Sequence, residues 1–125
     1  MSHSILVVDD DEKCQRLACD VLAHHGYRLH RAGSGEEALE FASASHVDLV
    51  LLDIQLPGLD GIETFKALRA MDGWRQVPVI AMTASVMPAE SSTLLTQGFD
   101  GFLAKPMAIK ELLTLVRRTL SKAPE

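Results

Sequence analysis

No stretch of the chain approaches the roughly 18 consecutive apolar residues that a membrane-spanning helix needs, although 47% of its 125 residues are hydrophobic. A secretory signal is missing too. Ser2, His3 and Ser4 open the chain, and the short apolar run over 5–8 is followed at once by acids. The expected setting is the cytoplasm. Basic residues are sparse and dispersed: 12 Lys and Arg stand against 17 Asp and Glu, a net charge of −5, and the longest basic cluster is the pair Arg117, Arg118. A grip on a phosphate backbone is therefore not expected, and direct nucleic-acid binding is set aside. Only two cysteines occur, Cys14 and Cys19. Five positions apart on one helix they face different sides, so they are read as free thiols and not as a disulfide. The five histidines are scattered, with no i, i+4 pair beside an acid, which excludes the usual zinc pattern. Internal repeats and low-complexity segments are absent.

What is present centres on residues 46–58. Leu49, Val50, Leu51 and Leu52 form a run that is apolar at every position, stops at Asp53 and passes through Leu56, Pro57 and Gly58 into a turn. A run so short and uniformly apolar suits a strand covered on both faces, as in a parallel sheet between helices. Asp53 then sits at the carboxyl end of a central strand, the edge where open α/β sheets bind ligands.

The rest of the chain alternates around that strand. A first strand over 4–8 ends on Asp9, Asp10, Asp11 and Glu12. The spacing of Cys14, Leu17, Ala18, Val21 and Leu22 predicts a helix over 12–25, with Gly26 as its stop. Residues 27–32 read as a strand at a sheet edge, because Arg28, His30 and Arg31 are polar. Ser34 with Glu37 forms a capping box opening a helix that buries Ala38, Leu39 and Ala42 and runs to about Ser45. Asp60 with Glu63 repeats the pattern before a third helix, striped by Ile62, Phe65 and Leu68 and ending near Met71. A fourth strand over 77–82 tolerates Pro78 only near its start and terminates on Thr83. Residues 88–97 are expected to be a helix with Pro88 in its first turn, weakened by Ser91, Ser92, Thr93 and Thr96. A fifth strand over 99–104 ends on Lys105, and Ile109, Leu112, Leu113, Val116 and Leu120 mark an amphipathic last helix. At this length one domain is expected, its core over 4–120, with 121–125 as tail or the start of a linker.

Five strand–helix alternations imply right-handed βαβ units and one parallel sheet covered on both faces, an α/β fold. Polar residues then collect at one edge: Asp9 and Asp10 after the first strand, Asp53 after the third, Thr83 after the fourth, Lys105 after the fifth. Singly, each has a bland reading as a cap or a solvated charge. Together they are more specific. Converging carboxylates repel, and a hard divalent cation that keeps several waters relieves the repulsion, which points to Mg2+. An Asp53 oxygen could then attack a phosphoryl group, with Thr83 and Lys105 neutralising its equatorial oxygens, to make an aspartyl phosphate.

Five blocks carry a resemblance at this point: Val7-Val8-Asp9-Asp10, Leu51-Leu52-Asp53-Ile54-Gln55-Leu56-Pro57-Gly58, Asp60-Gly61, Ala81-Met82-Thr83-Ala84 and Phe102-Leu103-Ala104-Lys105-Pro106. In this order and spacing the chain resembles a two-component response-regulator receiver domain over residues 5–120. The resemblance implies a flavodoxin-like (βα)5 sandwich with strand order 2-1-3-4-5. It implies that Asp53 is the phosphoacceptor, that Asp10 with Asp9 and Asp53 holds Mg2+, and that Gln55 lends its backbone carbonyl to the metal. Thr83 and Lys105 would bind the phosphoryl oxygens, and Phe102 would take the switch-aromatic position without a phenol hydroxyl. The implied partners are a histidine kinase or histidine phosphotransfer protein and a downstream effector. The domain would switch its interaction surface and not turn over a substrate as an enzyme does.

Competing readings are weaker. A haloacid-dehalogenase-type phosphatase resembles Asp-x-Asp, and position 55 here is Gln. A flavodoxin needs a Ser/Thr-rich phosphate loop where this chain has acids, which would repel flavin phosphate. A phosphorylation-independent interaction module on the same scaffold, and a receiver fragment of a hybrid kinase, are the remaining alternatives; the start at Met1 close before the first strand favours a stand-alone regulator. The first helix and the loops bearing Asp10 and Pro57 form the expected docking surface for the phosphodonor. Alanine at Leu17 or Pro57 should slow phosphotransfer from a protein donor and leave transfer from a small-molecule donor unchanged; equal slowing of both would count against that surface.

Overall fold

Along each inner strand, neighbouring apolar residues part company into two separate cores. Leu6, Val8, Val50, Leu52, Val79 and Ala81 join one, while Ile5, Val7, Leu49, Leu51, Ile80 and Met82 join the other. Side chains alternate across a strand, so a strand apolar at every position can only be satisfied between two layers. The chain supplies both layers. In the computed structural model, which describes residues 3–55, 58, 61–83, 98–105 and 108–122, the elements run β1 (Ser4–Val8), α1 (Glu12–His24), β2 (Arg28–Ala32), α2 (Gly35–Ala44), β3 (Leu49–Asp53), α3 (Gly61–Arg69), β4 (Val79–Thr83), β5 (Gly101–Ala104) and α4 (Ile109–Lys122). Helices α2 and α3 cover the first core through Ala38, Ala42, Phe65 and Leu68. Helices α1 and α4 cover the second through Ala18, Cys19, Leu22, Leu112 and Val116.

The five strands form one sheet in the order β2-β1-β3-β4-β5, and every pairing is parallel. This is the expected flavodoxin-like order. The expected helix over 88–97, together with Pro57, Asp60 and Pro106, lies outside the described residues. Among the described residues no helix is long and apolar enough to cross a membrane.

Local chemistry explains the boundaries that moved. β4 starts at Val79 and not at 77, because Pro78 offers no N–H to a ladder. β5 starts at Gly101 and not at 99. The Asp100 carboxylate takes the Val79 N–H at 2.8 Å, while its own N–H donates to the Val79 carbonyl. The end of α3 tightens, with Ala70 and Met71 donating to carbonyls three residues back, so α3 ends at Arg69. Ser34 caps α2 by accepting the Glu37 N–H at 3.1 Å. The glycine expected to end α1 does so: Gly26 sits at φ 92°, a left-handed conformation that side chains disfavour.

One expectation fails in an informative way. The buried stripe of α1 is Gln15, Ala18, Cys19 and Leu22, not the stripe led by Cys14 and Leu17. Leu17 is 40% exposed. Both stripes have helical spacing; the sheet selects the one that carries a glutamine.

Leu51, fully buried between β1 and β4, tests the two-layer packing. Leu51→Ala should cost about 2–5 kcal/mol in urea unfolding, the range for a leucine truncated in a close-packed core. A loss below ~1 kcal/mol would show that this core collapses around the cavity.

Candidate functional site

The acids after β1 have three different jobs, which the sequence could not apportion. Asp11 is the N-cap of α1, its carboxylate accepting the N–H groups of Lys13 at 3.0 Å and Cys14 at 3.4 Å. Those bonds, Cys14's first, hold its pKa below the usual carboxylate range. With the cap taken by Asp11, the two acids before it are released. Asp9 turns inward and is 1% exposed, its Oδ1 accepting the Asp11 N–H at 2.8 Å. Asp10 stays at the surface.

Asp53 closes β3 and is 3% exposed. Its Oδ1 accepts the Gln55 N–H at 2.9 Å, which orients the carboxylate. Its Oδ2 accepts from Lys105 Nζ, also at 2.9 Å. The same ammonium lies 2.9 Å from Asp9 Oδ2, but off the line of a good hydrogen bond, leaving that buried oxygen without an aligned donor. One lysine thus bridges two buried acids. Burial pushes the Asp9 carboxyl above its usual range, although Lys105 and the Asp11 N–H pull the other way. For Lys105 burial favours the neutral amine, yet its close contacts with the Asp9 and Asp53 carboxylates and their charges win and hold its pKa above the ordinary lysine value.

Register brings the lysine there. Ala104 pairs with Thr83, and the Lys105 N–H donates to the Thr83 carbonyl at 2.8 Å, so β4 carries β5 to the same edge. Thr83 closes β4 and is 3% exposed. Strand alternation sets it on the α2–α3 side with Ala81, whereas Asp53 pairs with Met82 on the other. Phe102 pairs with Ala81 and packs, half-buried, against that same α2–α3 core. Hydroxyl and ring therefore share one side of the sheet, and the carboxylate–lysine cluster follows the other. Gln55 is exposed immediately beyond Asp53. Gly61 opens α3 hard against this turn: an added Cβ would lie 2.4 Å from the Asp53 carbonyl oxygen and 2.3 Å from Ile54 Cα. Only glycine allows the approach.

The residues fit a small hard cation. Asp9, Asp10 and Asp53 each offer a carboxylate oxygen within 4.8 Å of the others. All three donors are oxygen, one acid faces solvent, and one buried oxygen has acceptor capacity to spare. That suits Mg2+, which retains waters and takes few protein ligands. The cysteines contribute nothing here: burial pushes both thiols up, away from reactive thiolate.

A family model described as the response regulator receiver domain matches residues 5–117. The chain belongs to that family. Among curated relatives, the receiver is 34% identical over 123 residues to the polar-differentiation response regulator DivK of Brucella ovis, covering 98% of this chain and 100% of DivK. Among solved structures, the chemotaxis response regulator CheY4 of Vibrio cholerae superposes with a TM-score of 0.90 at 27% identity, over 95% of this chain and 99% of that one. The receiver domain of the sensor histidine kinase PA1611 of Pseudomonas aeruginosa, solved with magnesium coordinated in its active-site cleft, gives 0.88 at 31% identity, covering 98% and 100%. A phosphatase of the haloacid dehalogenase type and a flavodoxin are thereby set aside.

The sequence named Asp9, Asp53 and Lys105, and the structure brings them into direct contact. It missed Gln15, whose amide donates to the carbonyls of Asp9 and Ala32 at 3.2 and 2.9 Å. A polar residue inside an otherwise apolar helical stripe was the available signal.

The shifts set two pH limits. Asp9 binds its proton more tightly folded than unfolded, so stability falls as pH rises from 3.8 through its raised folded value. Lys105 is also raised, but as a base: its contribution is complete below 10.5 and lost as pH climbs through the folded value. Asp9→Asn should therefore raise Tm at neutral pH in metal-free buffer, while Lys105→Met should lower it and remove the alkaline limb, both read by thermal melts across pH.

Proposed function

We propose that this receiver domain accepts a phosphoryl group on Asp53, from the phosphohistidine of a histidine kinase or a histidine phosphotransfer protein, and that the modified site alters a surface read by a downstream effector. The observation that carries this reading is the Asp53 carboxylate, 3% exposed at a strand end, oriented by the Gln55 N–H and held by Lys105.

In the transfer, an Asp53 oxygen forms the new O–P bond as the P–N bond to the donor imidazole breaks. The imidazole leaves with that electron pair and takes a proton. Lys105 then has a phosphoryl oxygen to pair with, so no charge is left stranded in the buried edge. A Mg2+ ion held by Asp9, Asp10 and Asp53, with the Gln55 carbonyl as a further donor, would offset the charge gathered by four acidic groups once the phosphoryl arrives. The Thr83 hydroxyl donates to the phosphoryl from the other side of the sheet, and its displacement opens room for Phe102 to rotate inward. Lacking a hydroxyl, Phe102 switches by packing alone.

The protein works on this reading as a signalling substrate with slow self-hydrolysis, not as a turnover enzyme. Its expected setting is the cytoplasm, consistent with free thiols at Cys14 and Cys19. The donor approaches over α1, where Leu17 stands exposed.

Intact mass after incubation with acetyl phosphate tests the chemistry. Wild type with Mg2+ should gain one base-labile phosphoryl group; Asp53→Asn, or wild type in chelator, should gain none. No adduct on folded, Mg2+-loaded wild type would instead identify a phosphorylation-independent interaction module.

A further inference from the structure

Gln15 occupies a position where the sheet would ordinarily demand an apolar side chain. It is 8% exposed in the stripe of α1 that also buries Ala18, Cys19 and Leu22. A buried amide costs stability unless it is bonded, and its Nε2 donates to Ala32 O at 2.9 Å and to Asp9 O at 3.2 Å. These two acceptors lie where β1 and β2 separate. Val8 and Ala32 are the last paired residues, and the Asp9 N–H donates to Ala32 O at 3.1 Å. Beyond that bond the strands diverge, and the Gln15 amide supplies a donor to Asp9 O, prolonging the ladder by one bond without a strand.

The carbonyl it holds belongs to the peptide unit joining Asp9 to Asp10. A peptide is planar, so holding its C=O fixes where both flanking Cα atoms lie, and with the Asp9 N–H also bonded to Ala32 O the peptide groups on both sides of the Asp9 Cα are held. On one side hangs the buried Asp9 carboxylate, on the other the exposed Asp10. Both belong to the three-acid cluster whose oxygens gather within 4.8 Å.

We propose that Gln15 is a positioning residue for the cation site: it clamps the Asp9–Asp10 peptide so that the two carboxylates converge with Asp53 before any cation arrives. The inference rests on reading Asp9, Asp10 and Asp53 as the Mg2+ site. Its consequence is that part of the site's affinity for metal is held in α1, in a residue that never touches the ion.

Isothermal calorimetry with MgCl2 and metal-free thermal melts on the full chain separate this from a merely structural role. Gln15→Met keeps the length and removes the donor; Gln15→Ser folds more readily because it admits water to both carbonyls. Ala18→Gly, which weakens α1 but leaves Gln15 in place, controls for stability loss. Both Gln15 variants should bind Mg2+ about tenfold more weakly, the lower end for loss of a residue that orients a ligand, and should show a smaller Mg2+-induced rise in Tm. Ala18→Gly should bind as wild type does despite a lower metal-free Tm. Unchanged affinity in the folded Gln15 variants, or equal weakening in Ala18→Gly, would overturn the positioning role while leaving the metal site intact. Wild type that binds no Mg2+ would overturn the metal-site reading, and this inference with it.

Discussion

Two buried carboxylates on neighbouring strands share one ammonium, and much of the molecule is arranged so that they can. Asp9 follows β1 and Asp53 ends β3, strands that lie side by side, while Lys105 arrives from the far edge by way of β4 and β5. Removing charge from water is expensive, and one cation between two anions does not repay it in full. The raised Asp9 pKa records the deficit. The site is consequently poised: it carries more negative charge than its own lysine offsets, at a place with an exposed third acid. On the proposed reading a cation would complete it, and a phosphoryl group would then find positive charge waiting.

The sheet imposes a second constraint, through parity. Side chains at the strand ends must leave on alternate sides, which separates Asp9, Asp53 and Lys105 from Thr83 and Phe102. On the proposed function, chemistry and readout would thus lie across the sheet from each other, joined at its edge. In the proposed mechanism a threonine that reaches over that edge is the link, and the ring two strands' width from Asp53 senses it by losing a neighbour. On that reading no long pathway is needed, because each step, from Asp53 to Thr83 and from Thr83 to Phe102, crosses between neighbouring strands.

The fold was readable because its signals are local and redundant. Leu49 to Leu52 cannot satisfy both faces except inside a two-layer cover, and Gly26, Ser34 and Pro78 mark where elements stop or start through their own backbone chemistry. Redundancy failed at α1. Cys14, Leu17, Ala18, Val21 and Leu22 make a respectable apolar stripe, and the helix nonetheless turns Gln15 inward and leaves Leu17 exposed. The inward Gln15 is satisfied by two hydrogen bonds from its amide to the ends of β1 and β2, so this rotation buries no unpaired donor.

By itself the sequence determined the parallel α/β architecture and the identity of the acids, threonine and lysine at one edge, because strand periodicity and strand termini are properties of neighbours along the chain. Tertiary structure decided which of three consecutive acids caps the helix and which are left for the site, that one lysine bridges two carboxylates, and that a glutamine holds the peptide between them. These depend on distances between residues as far apart as Asp53 and Lys105, and on a helix rotation chosen by what lies beneath it. Periodicity constrains which residues can share a face; only packing chooses among the faces that the pattern allows.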